Sequence, residues 1–443
     1  MQRFDSPLIR RVIKNSGYLF SATGITSGIS MLQSILVARL LGVAGFGILG
    51  VITMFTSVIN RFASFRMSEL VIKYVGEYSE SGDKQRAASV FKAAALTEMM
   101  ASILAFGLIY LLAPLGARYL AKDASTSNWF IIYGLIVLAN LISESSTGLL
   151  QIFDRFRGIA GINIAQSLIT LAIITLVYLR RGDFLNVLVA YLLGKICAAL
   201  GLTMLAMFEA TRRWGRGWWS APLSLLRGRS RQLVGFAIST NISATLSLIN
   251  KDSELLWVSF LRNPIETGYY KLALSLGNLV QLPVSPLPQA TYPELSREVA
   301  RKNWGDLRDI LRQGSILAGG YTFAASLGLL ILGRPLIRYV YTPEYLPAYP
   351  ALLILLAGFL IANTYYWHRT ALLSIGRADF PAKINFVLAI FKILGMFLLV
   401  SRYGYLASAG LLAASYILGV SISVVVFHLN LSRCEGGVSL KLR

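Results

Sequence analysis

Residues 233–261 read LVGFAISTNISATLSLINKDSELLWVSFL, an apolar run with a charged cluster set inside it. As a helix rising ~1.5 Å per residue it extends ~43 Å, more than the ~30 Å of hydrocarbon in a bilayer. Ser239, Ser243, Ser247, Asn250, Lys251 and Glu254 follow one another at steps of three or four, which stacks them into one polar stripe on an otherwise apolar helix. Lys251, Asp252 and Glu254 cost roughly 7 to 10 kcal/mol near mid-bilayer, and the Leu, Ile, Val and Phe of the same segment offset roughly 4 to 8 kcal/mol. The stripe therefore needs a cavity or charged partners, and intramembrane ionisable groups of this kind mark functional sites. The competing structural reading is an internal Lys251–Glu254 ion pair that fixes helix packing.

The rest of the chain has the same character. Of 443 residues, 55% are hydrophobic and 14% charged, the composition of a polytopic membrane protein. Apolar segments of spanning length fall at about 16–38, 45–65, 91–113, 129–152, 159–179, 185–208, 233–261, 268–290, 314–333, 349–372, 384–401 and 406–430, an all-α arrangement of 12 transmembrane helices. The first is longer than a signal-peptide core and lacks a small-residue cleavage site, so it is expected to remain as a span. Lys and Arg divide unequally between alternate loops, 27 in the set containing both tails and nine in the other. The positive-inside rule then puts both termini in the cytoplasm of a multi-pass membrane protein, and it explains much of the net charge of +21 without nucleic acid. Cys197 and Cys434 are far apart and imply no disulfide framework. Two histidines, His368 and His428, with no HExxH or CxxC spacing give no metal site. GxSxG, Walker A and GxGxxG motifs are absent, so no enzyme and no cofactor are expected.

Short matches recur half a chain apart. Gly45-Phe46 answers Gly268-Tyr269, Gly82-Asp83 answers Gly305-Asp306, and Thr147-Gly-Leu-Leu answers Thr370-Ala-Leu-Leu, all at an offset of 223. Pro114-Leu115 recurs as Pro335-Leu336 at 221, and Ile162-Asn163 as Ile384-Asn385 at 222. This spacing predicts duplication of a six-helix unit. Because six is even, the copies share one topology and form a parallel pseudo-two-fold repeat. The expected layout is a bundle over 1–208, a basic cytoplasmic connector over 209–232 whose Trp and Arg suit anionic lipid, and a second bundle with a short tail over 233–443. The first helix, counterpart of the seventh, carries Thr23, Ser27, Ser30 and Ser34 at helical spacing with Gln33 beside them. Ser30 and Gln33 join Ser247 and Asn250 as candidate substrate contacts, although small residues also serve close helix packing in lipid. Pro283, Pro286 and Pro288 must bend the eighth helix and are candidate hinge residues.

At 36–50, LVARLLGVAGFGILG, the chain resembles polysaccharide exporters of the multidrug/oligosaccharidyl-lipid/polysaccharide (MOP) exporter superfamily. The resemblance continues at Lys73-Tyr74 with the Gly82-Asp83 loop, at Glu266-Thr-Gly-Tyr-Tyr, and at Pro288 to Leu295 (PQATYPEL). It implies two six-helix bundles around a cavity open alternately to each side. It also implies an O-antigen-type flippase for polyprenyl-pyrophosphate-linked glycan, working beside glycan polymerase and glycosyltransferases. In that family helices 1, 2, 7 and 8 line the cavity, which points here to Arg61, Lys251, Asp252, Glu254 and Lys271. Lipid II flippases of the superfamily carry bases on the first helix, whereas this one has none.

Elementary chemistry agrees. A pyrophosphate needs cations and a sugar chain needs hydroxyl, amide and carbonyl partners, since neither crosses hydrocarbon unaided. Lys251 and Lys271 are expected on the pyrophosphate, with Arg61 weaker because it lies near a helix end. Asp252 and Glu254 are expected to hold Lys251 or bind a coupling ion, with Na+ or H+ gradients and membrane potential all open as the driving force. Lys195 and Lys392, on helices 6 and 11 outside that wall, are expected to pair with acids between helices. The rival readings are a cation-coupled multidrug antiporter, a membrane glycan polymerase or glycosyltransferase, and a non-transporting scaffold. Six intramembrane bases (Arg61, Lys195, Lys251, Lys271, Arg369 and Lys392) against four acids (Glu98, Glu144, Asp252 and Glu254) disfavour an antiporter for cations.

Overall fold

Gly42 decides how the chain begins. In α1 (Pro7–Ala63) the backbone is helical on either side of Gly42, whose φ of 65° and ψ of −177° glycine adopts without a Cβ penalty. The spans expected at 16–38 and 45–65 thus follow each other without an intervening loop. The computed structural model describes residues 7–64, 66–238, 241, 253–377 and 379–435. Every regular element among them is helical, and nine of these helices are long and apolar enough to cross a membrane. The all-α polytopic class is therefore observed. The seventh expected span falls largely outside the described residues, and Ser239, Ser243, Ser247, Asn250, Lys251 and Asp252 of its stripe lie there.

The chain divides into two compact units, Met1–Leu248 and Ile249–Arg443. The first continues with α2 (Met67–Glu80), α3 (Lys84–Leu115), α4 (Ser127–Ala139), α5 (Ser143–Ile152), α6 (Phe156–Leu179) and α7 (Phe184–Trp214). The second holds α8 (Glu254–Leu261), α9 (Pro264–Gln281), α10 (Leu287–Ala300), α11 (Trp304–Pro335), α12 (Ala348–Thr364), α13 (His368–Ser374), α14 (Asp379–Gly395) and α15 (Tyr405–Glu435).

Irregularities recur in both units. After Pro114 the end of α3 widens into a π-helix, Gly116–Ala121, and after Pro335 the end of α11 does the same over Leu336–Tyr341. Proline lacks the N–H that closes an i→i−4 bond, so a wider turn is the local remedy. The span expected at 129–152 is broken between α4 and α5, and its counterpart at 349–372 is broken between α12 and α13. From α3 against α11 to α7 against α15, corresponding elements start 220 to 225 residues apart.

The two breaks are secured by different chemistry. Buried Glu98 accepts from the N–H groups of Glu144 and Ser145, both at 2.8 Å, and from Ser145 Oγ at 2.6 Å. A carboxylate on α3 thereby caps the first turn of α5. At the second break Trp367 Nε1 donates to Ser315 Oγ at 2.7 Å and Asn363 Nδ2 to Thr322 Oγ1 at 3.2 Å.

The eighth expected span departs most from expectation. α9 stops at Gln281, residues 282–286 form turns around Pro283 and Pro286, and α10 resumes with Pro288 in its first turn and runs to Ala300. The connector is also not simply an interfacial strip. Trp218 is buried 5.4 Å from the Phe91 ring and Leu226 is buried beside the same core, while Lys92 Nζ donates to the Ala221 carbonyl at 3.3 Å. Trp219 alone of that pair stays exposed, because Trp218 fills the space beside α3. Large apolar side chains such as Met100 and Leu111 on α3 and Leu398 after α14 are at least 70% exposed, the surface expected of helices in contact with acyl chains.

Candidate functional site

Within the first unit four helices line an open cavity of 510 Å³. Each contributes one face at helical spacing. The second arm of α1 supplies Thr53, Thr56, Ser57 and Asn60, steps of three and four that stack on one side. α4 adds Tyr133, Ile136 and Val137, with Asn140 at the break beyond its end; α6 adds Asn163 and Gln166. α7 adds Lys195, Ala198, Ala199 and Leu202. One cation, four carboxamides and four hydroxyls thus share a chamber that has no carboxylate in its lining.

Close packing sets this geometry. A Cβ added to Gly194 would lie 1.9 Å from Thr170 Oγ1, so only glycine lets α7 approach α6 here. Thr170 Oγ1 donates to the Gln166 carbonyl at 2.9 Å, and Gln166 Nε2 donates to Thr170 Oγ1 at 3.3 Å, which fixes the Gln166 amide. Asn140 Nδ2 donates to the Ile136 carbonyl at 2.9 Å and holds its own amide at the helix break. Thr56 is 2% exposed and its Oγ1 has no hydrogen-bond partner. Lys195, one residue from the tight Gly194 contact, keeps an exposed surface and makes no ion pair with a described residue. The expected pairing of Lys195 with an acid between helices is therefore not found among the described residues: the walls around it carry amides and hydroxyls.

The sequence reading did not single out this cavity. The usable signal was the i, i+3, i+4, i+7 run of Thr53, Thr56, Ser57 and Asn60, which is as regular as the stripe on 233–261 and carries no charge.

The residues expected at the site lie in both units. Gln33 on the first arm of α1 is buried and donates Nε2 to the Ser167 carbonyl of α6 at 2.8 Å, a helix-to-helix contact that occupies the amide proposed for substrate. Ser30 is exposed on the same arm. Arg61, in the last turn of α1, is exposed, and its carbonyl accepts from Asn241 Nδ2 at 3.3 Å. Lys271 sits half-buried on α9 on a face with Ser275 and Asn278, and its carbonyl accepts from Ser275 Oγ at 2.8 Å. Opposite that face Leu272, Leu276 and Val280 are buried.

Glu254 pairs with Lys392 of α14 in a salt bridge with both side chains at most 4% exposed. Lys251, the neighbour that spacing offered, lies outside the described residues. For Lys392 the expected pairing with an acid on another helix is what occurs.

A second clasp joins chain segments at the motif Glu266-Thr-Gly-Tyr-Tyr. Glu266 Oε1 bonds Arg262 at 2.8 Å, its Oε2 accepts from the Tyr405 N–H at 3.0 Å, and its own N–H is capped by Asn263 Oδ1 at 2.9 Å. The carboxylate beside it holds the Arg262 guanidinium above its usual pKa. The motif is thus an N-cap and loop tether.

Comparison with known proteins follows the same lines. Residues 12–298 match the family described as polysaccharide biosynthesis protein. Inner membrane protein YghQ of Escherichia coli (strain K12) is 24% identical over 349 residues, covering 78% of this chain and 97% of that protein. Among solved structures, an inward-facing multidrug resistance transporter of the MATE family, MOP superfamily, superposes with a TM-score of 0.70 at 13% identity over 93% of this chain and 96% of its own. The lipid II flippase MurJ in an inward closed conformation gives a TM-score of 0.70 at 17% identity over 94% of this chain and 90% of its own.

Proposed function

We propose, from the premise that this chain belongs to the polysaccharide biosynthesis protein family, that it is a flippase moving polyprenyl-pyrophosphate-linked oligosaccharide across the inner membrane by alternating access. It has the fold of MOP-superfamily transporters. The observation that carries the proposal is the 510 Å³ chamber of hydroxyls and carboxamides set among membrane-spanning helices, with a lysine and no carboxylate in its lining. Sugar hydroxyls both donate and accept, so mixed amide and hydroxyl walls replace their water at small cost. A prenyl chain has no such need and remains in lipid.

In this reading Lys251 and Lys271 hold the pyrophosphate, with Arg61 at the edge of the path and Ser247, Asn250 and Ser30 as polar contacts. Asp252 keeps the role of a charge or coupling-ion partner. The turns at 282–286 supply the hinge, because Pro283 and Pro286 leave that stretch without a continuous hydrogen-bond ladder. Both termini are placed in the cytoplasm by the basic-residue bias. The MATE-like fold alone would equally suit a multidrug antiporter, but a cavity for organic cations wants carboxylates and this lining has none. The test is a proteoliposome assay of polyprenyl-linked glycan accessibility, with and without Na+, H+ and voltage gradients. Flipping that falls at least tenfold in Lys251→Ala or Lys271→Ala supports the reading. Efflux of cationic dyes with no movement of lipid-linked glycan overturns it.

A further inference from the structure

We propose that the cavity of the first unit seats a negatively charged sugar of the glycan, Lys195 being the counter-charge for a carboxylate on that sugar. This rests on the flippase reading above and names its substrate class. Charge comes first. Among the described lining residues Lys195 is the one ionisable group besides Tyr133, and an anion that reaches its exposed ammonium gains a charge-assisted hydrogen bond. No described residue supplies that anion to Lys195. The ligand therefore brings it.

Next come the neutral partners. Thr56, only 2% exposed, has an Oγ1 with no bond, and a buried hydroxyl left unpaired calls for a partner. Asn60 and Asn163 likewise make no side-chain hydrogen bond to a described residue. Gln166 is fixed through Thr170 and Asn140 through the Ile136 carbonyl, so part of the shell is pre-set before anything binds. A pre-set set of donors and acceptors around one cation matches a ring bearing several hydroxyls and one carboxylate.

Size separates this from a site for a small inorganic anion. One water-sized species needs about 10–15 Å³ of such cavity volume, so a halide would leave a chamber of 510 Å³ almost unfilled. The matching wall of the second unit is built differently. At the duplication offset of 223, Thr53, Thr56, Ser57 and Asn60 are answered by Leu276, Leu279, Val280 and Pro283. Leu276 and Val280 are buried there, and the Phe359 ring lies so close to Gly277 that a Cβ would approach it to 2.7 Å. The second unit has packed the equivalent wall with hydrocarbon.

The experiment titrates the full-length protein in detergent with methyl glucuronoside, methyl glucoside and chloride, read by saturation-transfer NMR and competition. Wild type is expected to bind the glucuronoside at least tenfold more tightly than the glucoside. Lys195→Gln removes that preference, Lys195→Arg retains most of it, and Thr56→Val weakens both sugars severalfold. Equal binding of the two sugars by wild type, an undiminished preference in Lys195→Gln, or chloride competing at the affinity of the glucuronoside overturns the inference, the last making this an inorganic-anion site. Because the sugar comparison in wild type needs no variant, misfolding of Lys195→Gln does not blunt the test. The two readings fail separately. Flipping of neutral and acidic lipid-linked glycans at equal rates, unchanged in Lys195→Gln, sinks this inference alone. Lys195-dependent binding of the glucuronoside with no lipid-linked glycan flipped sinks the transport reading alone.

Discussion

Lys392→Met should destabilise the protein strongly. Lys392 and Glu254 are both nearly inaccessible and pair directly across α14 and α8. Removing the ammonium takes the Lys392 charge from beside a buried carboxylate, a loss of about 3–5 kcal/mol for pairs of this type. For a unit the size of Ile249–Arg443 each kcal/mol lowers Tm by about 2–4 °C, which gives a fall of about 6–20 °C. Replacing both partners, Glu254→Met with Lys392→Leu, restores shape without charge and should return Tm to within a few degrees of wild type. The assay is a thermal melt of the purified full-length protein in detergent, followed by intrinsic tryptophan fluorescence. Trp257 on α8 packs 5.1 Å from Phe397, close to the pair, and reports the relevant region. A single variant melting within about 2 °C of wild type, or a double variant no better than the single, would refute the claim that the pair fixes α8 to α14.

Other expectations are shorter to state. Gly194→Ala drives a methyl group to 1.9 Å from Thr170 Oγ1 and should cost about 1–3 kcal/mol, with Thr170→Ala in the same chain recovering much of it; melts of the three variants decide. Glu98→Ala strips the cap from α5 and leaves two buried N–H groups and a hydroxyl without an acceptor, so at least about 2 kcal/mol should go, visible as a lower Tm and as proteolysis near 140–145. Pro283→Ala with Pro286→Ala should slow flipping severalfold while leaving sugar binding to the first unit unchanged; equal rates would deny the turn at 282–286 a part in transport. Glu266→Ala frees Arg262 and the Tyr405 N–H together and should lower Tm by a few degrees.

Class and duplication were legible because both are written in one dimension. A span is a matter of length and hydropathy, and Pro114 and Pro335 repeat at the same place in their helices whatever surrounds them. The Gly42 joint was hidden: a glycine in an apolar run is common, and it takes the structure to show that no loop separates the first two spans. The Glu254–Lys392 pair was hidden because spacing reveals neighbours within two turns, and these two residues lie 138 positions apart. The break between α4 and α5 was hidden for a similar reason. Residues 129–139 are almost uniformly apolar, and the carboxylate that stabilises the bend belongs to α3. The chamber was illegible as a whole, since each of its four walls offers a few polar residues that singly read as packing. What marks them as a site is convergence, which is a tertiary property.

The contrast between the units then follows from packing alone. Both contain the same bends at α4–α5 and α12–α13, so the backbone scaffold does not decide which unit encloses space. Side-chain volume does. Where the first unit sets Thr53, Ser57 and Asn60, the second sets Leu276, Val280 and Pro283, and the ring of Phe359 closes on Gly277. Filling that wall with hydrocarbon adds burial free energy of about 25 cal/mol per Å². It also removes the only means of hydrating a sugar. The same substitution that packs the wall brings in Pro283, which ends α9. A wall that gains hydrocarbon beside a broken helix is suited to bend, and one that keeps a wet chamber with a lysine is suited to hold a sugar. On this argument, importing the chamber into the second unit by Leu276→Thr with Val280→Ser should destabilise it without creating a sugar site, because no equivalent of Lys195 faces that wall: 221 residues on stands Tyr416, whose ring lies 5.6 Å from Phe359.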